Sequence, residues 1–348
     1  MNNTRHIAPS LARRPWRQLA TFLAAIGSLA TMRQPAVPGR DTPEITRGVG
    51  VYDTSTNSVT LVGGNQPPAE TARDRSWRWL GTQWEVTSND GPAARTNAAA
   101  AYDRRRRVAV VAGGAALGPD GKSTRVLNDT WEQRGGVWHR LSGTAFDPRD
   151  HHAMAYDETR EAVVLFGGIP GSRVSPWPSD TWQLNPGGWQ QTLTDGPSGR
   201  ARTAMVYDRK RKQIVLFGGV GAAPRPGAPQ PFLQDTWVLD RSGWRQLPVA
   251  GPPARYAHGM VFDERAGVVL LYSGAAAHKG APLTDMWKWD GVRWTEIPLS
   301  GPTPGHRYQP VMVYDRKRAR TVLYGGMPGS RETWEWNGAR WMALPAER

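Results

Sequence analysis

Residues 153–168 read AMAYDETREAVVLFGG, and residues 180–189 read DTWQLNPGGW. An apolar run ends in Tyr156-Asp157, a polar turn follows, a second apolar run from Val163 to Phe166 ends in Gly167-Gly168, and Trp182 and Trp189 stand seven residues apart. Runs of this length bounded by turn formers are the mark of short strands. Self-similarity at a long, steady period is the mark of a repeat architecture.

The pattern returns along the sequence. Tyr52-Asp53, Tyr102-Asp103, Tyr156-Asp157, Tyr207-Asp208, Phe262-Asp263 and Tyr314-Asp315 recur every 50 to 55 residues. Eleven residues after each aromatic comes a small pair: Gly63-Gly64, Gly113-Gly114, Gly167-Gly168, Gly218-Gly219, Ser273-Gly274 and Gly325-Gly326. Paired tryptophans follow each time: Trp77 and Trp84, Trp131 and Trp138, Trp182 and Trp189, Trp237 and Trp244, Trp287 and Trp294, Trp334 and Trp341. Each repeat reads as four strands, two before the tryptophans and two carrying them, with turn formers such as Asp290-Gly291 and Asn337-Gly338 between the last two. The aspartate is expected to accept backbone N–H groups one or two residues on in the first turn. Four antiparallel strands repeated radially make a propeller blade. The expected fold is all-β: a six-bladed β-propeller over residues 41–348, with blades at about 45–91, 92–146, 147–196, 197–251, 252–301 and 302–345. The ring would close without strand exchange, the joint between the last and first blades resting on packed side chains.

The combination of aromatic-Asp, apolar strand, Gly-Gly, variable loop and Asp-Thr-Trp resembles the kelch repeat in its bacterial form, over about residues 45 to 345. The resemblance implies a propeller of the galactose oxidase and kelch type. It leaves activity open, since such propellers include binding scaffolds, galactose oxidase and sialic acid mutarotases. The cross-linked tyrosine of galactose oxidase needs a cysteine, and this chain has none.

The 348 residues carry a formal charge of +14, with 38 Arg and 6 Lys among the 44 cationic residues. The absence of cysteine excludes disulfide scaffolds, thiolate metal clusters and cysteine nucleophiles. Residues 1–40 hold six Arg and no acid, and Leu19 to Ala30 is an apolar run behind Arg13, Arg14 and Arg17. Twelve apolar positions are too few for a permanent transmembrane helix. The segment reads as a signal peptide cleaved near Ala30, exporting the protein to the periplasm or the exterior. Arg13-Arg14 admits a twin-arginine route, and a disordered basic leader is the alternative. Among six-fold repeated tryptophans the structural role dominates, because a buried ring removes about 150–250 Å² from water. Trp79, Trp289 and Trp336 share a strand face with a repeat Trp. Trp177, in the long loop of the third repeat, is out of register and is the candidate ligand platform.

From the second glycine to the next Trp the count is 13, 17, 14, 18, 13 and 8, so these loops vary most and form the expected ligand face. On that face, seven residues before the aromatic, stand Arg95, Arg149, Arg200, Arg255 and Arg307. Such a ring is a candidate for bidentate capture of a carboxylate, phosphate or acidic sugar at the channel mouth. Two residues before the first Trp stand Asp129, Asp180, Asp235, Asp285 and Glu332, and the first repeat lacks both members, with Ile45 and Arg75 instead. Joint presence and joint absence point to Arg–acid pairs within a blade.

His152 and His258 are equivalent, but their repeats are not neighbours and they give no metal-ligand spacing. No metal and no cofactor is implied, and no catalytic residue is named. Arg104, Arg105, Arg106 and Arg107, then Arg209, Lys210, Arg211 and Lys212, then Arg316, Lys317, Arg318 and Arg320 place twelve cationic groups at the first turns of alternate repeats. They make the opposite face a candidate for weak polyanion binding, the alternative being solvated hairpin tips. The expected function is a secreted, monomeric scaffold binding a protein or glycan ligand on its loop face. The alternative is a cofactor-free carbohydrate-active enzyme, mutarotase-like or lyase-like, at the channel mouth.

Overall fold

The computed structural model describes residues 43, 45–66, 71–72, 75–88, 91–117, 124–143, 146–193, 195–276, 282–329 and 331–344; the expected leader and its cleavage site lie outside them. Among the described residues there is no helix, so none that is long and apolar enough to cross a membrane.

Each repeat folds into its own antiparallel sheet. The first sheet is Val49–Asp53, Ser58–Val62, Ser76–Trp79 and Trp84–Ser88; the second is Ala99–Asp103, Val108–Ala112, Thr130–Arg134 and Val137–Arg140. The third is Ala153–Asp157, Ala162–Phe166, Thr181–Asn185 and Gly188–Leu193; the fourth is Ala204–Asp208, Gln213–Gly221, Phe232–Asp240 and Gly243–Leu247, with Arg200–Ala201 as a fifth, short strand. The fifth is Gly259–Asp263, Val268–Tyr272, Met286–Trp289 and Trp294–Glu296; the sixth is Val311–Asp315, Arg320–Tyr324, Thr333–Trp336 and Trp341–Leu344. In the third sheet Tyr156 opposes Val163 and Leu165 opposes Trp182, the register expected from the repeat.

The second strands are buried along nearly their whole length because sheets pack against both of their faces, which accounts for runs such as Val163-Val164-Leu165-Phe166. Apolar clusters fill the space between successive sheets, and one of them joins Leu61, Trp77 and Trp84 of the first sheet to Val311, Val322 and Tyr324 of the sixth. The first strands stand side by side in cyclic order, ending with Val311–Asp315 beside Val49–Asp53. A Cβ on Gly50 would collide with the Val311 side chain, which measures how closely first and last sheets approach. Among the described residues, no strand is exchanged at this joint.

Tryptophan chemistry stitches the sheets. The second Trp of each sheet donates its indole N–H to a hydroxyl on the preceding sheet: Trp138 to Ser76 at 3.1 Å, Trp189 to Thr130, Trp244 to Thr181 and Trp294 to Thr236, each at 2.9 Å. Trp84 does the same to Thr333 at 2.9 Å, across the joint between first and last sheets. In the last case Met286 holds the hydroxyl position, and the buried Trp341 indole nitrogen has no partner. Trp79, Trp289 and Trp336 are buried and lie 5.0–5.6 Å from the second Trp of their own sheets, ring centre to ring centre.

The repeat aspartates cap the first turns, reaching two and three residues on where one or two were expected. Asp157 accepts from the N–H groups of Thr159 and Arg160, and Asp208 from those of Lys210 and Arg211. The longer reach also brings the side chain of the third turn residue back to the carboxylate, as Arg160 does at 2.6 Å.

Candidate functional site at the channel mouth

The five repeat arginines are buried, each held by several bonds. Arg149 donates from Nη1 and Nη2 to the two carboxylate oxygens of Asp180 at 2.7 and 3.0 Å, from Nη1 to the carbonyl of Gly167, and from Nε to the carbonyl of Asp147. Arg95 with Asp129, Arg200 with Asp235, and Arg255 with Asp285 repeat this arrangement. Arg307 is looser, 3.7 Å from Glu332. Burial alone would raise these aspartates, but bonds from the arginine outweigh it and hold Asp129, Asp180, Asp235 and Asp285 below the ordinary carboxylate range. The same arginines tie neighbouring sheets through the backbone, since the carbonyls of Arg95, Arg149 and Arg200 accept from the N–H groups of Gly64, Gly114 and Gly168. A Cβ at Gly113, whose φ is +56°, would lie 2.7 Å from the Arg149 carbonyl oxygen, so glycine is needed here both for its conformation and for the close approach. The pairs expected from joint presence and absence are therefore present: the guanidinium groups bond within their own repeat, and the backbone carbonyls of the same arginines make the joints between sheets.

Trp177 is also inward, 9% exposed and packed with Ala201 and Val220. His152 and His258 are buried with neither ring nitrogen bonded, and burial, reinforced by Arg149 and Arg255 respectively, pulls both down to about 3.

At one end of the central channel the residue after each repeat aspartate is, in order, Thr54, Arg104, Glu158, Arg209, Glu264 and Arg316. Arg104 contacts Glu158 at 3.3 Å and Glu264 at 2.8 Å, Arg209 contacts both acids at 3.0 Å, and Arg316 reaches Glu264 at 2.7 Å. The second and fifth sheets are opposite in the cyclic order, so the Arg104–Glu264 pair spans the channel. Arg105 pairs with Glu161, Arg106 with Asp103 and Glu132, Arg211 with Asp208, and Arg318 with Asp315 and Glu335. Among the described residues, Arg107, Lys210, Lys212, Lys317 and Arg320 have no acidic partner; the Arg320 guanidinium donates to the carbonyl of Ala319. Much of the basic face is thus neutralised, Arg106, Arg211 and Arg318 by acids of their own repeats and Arg104, Arg105, Arg209 and Arg316 by acids of other repeats.

The other end is different. Two residues after each repeat arginine, and at the matching place in the first repeat, stand Arg47, Asn97, His151, Arg202, Ala257 and Gln309. All six have left-handed backbone, with φ between 49° and 60°. Asn97 donates its N–H to the carbonyl of Arg47, His151 to Asn97, Arg202 to His151, Ala257 to Arg202 and Gln309 to Ala257, at 2.7–3.1 Å. These five bonds set the six residues in an open circle around the mouth, and hold non-glycine residues in a costly conformation, roughly 1–2 kcal/mol each, which the surrounding sheets must offset.

The side chains of that circle, with Tyr256, Tyr308 and Met327, line a cavity of about 210 Å³. The Arg47 and Arg202 side chains lack both ion pairs and hydrogen bonds among the described residues, and Arg202 lies 5.6 Å from the centre of the Tyr256 ring. Burial lowers Arg202, and the charge of Arg47 adds to the lowering. Tyr256 stacks between Phe232 and Tyr308, with centroids 5.3 and 6.3 Å away and planes 26° and 27° apart. Beside them His151 Nδ1 lies 2.8 Å from Asp150 Oδ1, and Arg173 grips both oxygens of Asp150 at 3.0 and 2.7 Å. Burial would raise Asp150, but the bonds from His151 and Arg173 prevail and hold it at about 2. Burial pulls His151 below its ordinary value against the bond from Asp150, with Arg202 and Arg47 pushing the same way. The imidazole is therefore neutral near pH 7, its Nδ1 proton faces Asp150, and Nε2 is left as an acceptor.

Repeat comparison had pointed to Arg200 and overlooked Arg202. The positions that line the mouth differ from repeat to repeat, and the available signal was a polar residue at nearly every copy of one variable register position.

No protein-family model matches the chain. Among curated proteins it is similar to Mei4-dependent protein 6 of Schizosaccharomyces pombe (strain 972 / ATCC 24843), 29% identical over 137 residues. That match covers 36% of this chain and 19% of the relative, so the chain spans about a fifth of the length of the curated protein it resembles. Among solved structures it is similar to the structure of YjhT, with a TM-score of 0.63 at 16% identity, covering 87% of this chain and 98% of that one. With its succession of four-stranded antiparallel sheets, the chain has the fold of a β-propeller.

Proposed function

We propose that the protein is an exported, six-bladed kelch-type propeller whose channel mouth binds a small, carboxylate-bearing glycan or metabolite. The observation that carries this reading is the pair of cations, Arg47 and Arg202, that line a half-buried cavity and have no acidic partner among the described residues. A guanidinium removed from bulk water without an acid partner is costly to keep, and a carboxylate in the cavity would restore the balance. Tyr256 and Tyr308 give the cavity an aromatic wall for the apolar side of a sugar ring, and Asn97 and Gln309 offer amides for its hydroxyls. The opposite end of the channel is bridged by Arg104, Arg209, Glu158 and Glu264, which favours approach from the mouth. Calorimetric titration with a panel of uronic acids, sialic acid and neutral sugars tests the reading on the wild-type chain and on Arg202→Ala. Acidic sugars are expected to bind and neutral ones not to, with affinity for the acids lost in the variant.

A further inference from the structure

Binding alone leaves one feature of the mouth unused. His151 is oriented by a carboxylate that is itself clamped by Arg173; it belongs to the cavity wall with Asn97 and Arg202, and with Nδ1 engaged by Asp150 its Nε2 is the ring nitrogen left for a ligand. A buried acid that holds an imidazole in one tautomer is the arrangement by which a histidine becomes a proton acceptor. The same 210 Å³ cavity is lined by Arg47 and Arg202, which have no acidic partner among the described residues, and by Tyr256 and Tyr308. Burial raises the Tyr256 hydroxyl, with Tyr308 adding to the rise, so it keeps its proton near neutrality and can give it up to a strong base.

We propose that the mouth is an active site for β-elimination on a uronate-containing glycan, with His151 as the base. The inference rests on the carboxylate-binding reading above. Arg47 and Arg202 hold the uronate carboxylate and spread the charge that develops when the neighbouring carbon loses its proton, the step that makes such a carbon acidic enough to react. His151 Nε2 takes that proton. The C–H electron pair becomes the double bond between the α and β carbons as the bond from the β carbon to the glycosidic oxygen breaks. The departing oxygen takes a proton from the hydroxyl of Tyr256 or Tyr308, and the imidazolium proton returns to the tyrosinate through solvent. The products are an unsaturated uronate and a glycan shortened by the cut. Water is not consumed, and nothing is oxidised or reduced overall.

His151 has conservative replacements within the protein itself. Asn97 and Gln309 occupy the same register position with φ of 55° and 49°, so His151→Asn and His151→Gln suit the backbone circle. Asp150 is a positioning residue: it touches His151 and Arg173 but lies one bond away from the ligand.

The experiment incubates the full chain with oligogalacturonate and with glucuronate-containing oligosaccharides, reading the ultraviolet absorbance of the conjugated double bond and the product masses, alongside calorimetric binding. The wild type is expected to form unsaturated product. His151→Asn should bind the same oligosaccharide within a few-fold and lose kcat by roughly 10²- to 10⁴-fold. Asp150→Asn should lose less kcat and shift the pH profile of kcat, an effect that a purely structural role would not produce. Wild-type binding without unsaturated product overturns the elimination and leaves the binding site standing. Turnover by His151→Asn at the wild-type rate overturns the role of His151. Absence of binding by any acidic sugar overturns the site itself.

Discussion

Arg149 and Asp180 share two parallel hydrogen bonds of 2.7 and 3.0 Å, while the Arg149 carbonyl accepts from Gly114 on the neighbouring sheet at 2.9 Å. One residue therefore fastens three strands of its own sheet and a joint to the next. Removing the side chain leaves Asp180 without its counter-charge and leaves the Gly167 carbonyl without its donor. Arg149→Met is expected to cost about 3–5 kcal/mol, the range for breaking a buried pair, read as a lowered urea midpoint. Arg307→Met should cost less, because its acid stands 3.7 Å away and is half exposed. Equal losses in the two variants would contradict the structural weight given to the bidentate pairs.

The joint between first and last sheets gives a second test. Thr333→Val keeps the shape of the side chain and removes the hydroxyl that accepts the Trp84 indole N–H. An orphaned buried donor costs about 1–3 kcal/mol. The expected result is a loss of that size by urea denaturation, comparable to the loss in Thr236→Val, which orphans Trp294 between the fourth and fifth sheets. A neutral Thr333→Val beside a costly Thr236→Val would mean that the joint is not closed as the other interfaces are.

Acid stability follows from the two buried histidines. Their folded values are depressed to about 3 by burial, whereas an unfolded histidine titrates near 6.5. Below that pH the unfolded chain takes up protons that the folded chain refuses, so stability is lost as pH falls from about 6.5, by up to about 1.4 kcal/mol per pH unit for each histidine. The paired aspartates add their own loss only near and below about pH 4, because their folded values are also lowered. His258→Gln should flatten the slope of stability between pH 6.5 and 4.5 in part, the rest coming from His152 and from His151, which burial also lowers. An unchanged slope would show that the imidazoles are already protonated in the fold.

The basic turns predict modest behaviour toward polyanions. Arg104, Arg209 and Arg316 are bonded to Glu158 and Glu264, leaving Lys210, Lys212, Lys317, Arg107 and Arg320 as the cations without acids. Retention on a heparin column should be weak and vanish at moderate salt. Glu264→Gln removes the acid that Arg316 pairs with and one of the two that Arg104 and Arg209 share, and should strengthen retention. Retention that persists at high salt in the wild type would contradict this balance.

The sheets were legible because the repeat places the same residue types at the same spacing, and sameness is what a comparison within one sequence detects. The Arg–acid pairs were legible for the same reason: Ile45 and Arg75 break the pattern together. The mouth was harder to read. Arg47, Asn97, His151, Arg202 and Gln309 share a left-handed backbone and a place in the circle, yet no two neighbours share a side chain. A fold uses a position repeatedly with one residue, whereas a ligand with no six-fold symmetry needs different residues around it. Trp177 stood out for the converse reason, as an aromatic out of register; it packs against Ala201 and Val220 and also lines a separate cavity with Asp147 and Arg149. The twelve turn cations were visible as charge, but their partners Glu158, Glu161 and Glu264 lie in other repeats and become neighbours only when the sheets stand side by side.

The central claim is that the unpaired guanidinium groups at the mouth recognise a carboxylate. Calorimetric titration of galacturonate oligomers into the wild type, Arg47→Ala, Arg202→Ala and the surface control Lys212→Ala tests it most directly. Saturable binding by the wild type and Lys212→Ala, with each mouth variant weakened at least ten-fold, about 1.4 kcal/mol, is the predicted result. Binding that is indifferent to Arg47 and Arg202, or equal for acidic and neutral sugars, would contradict the account.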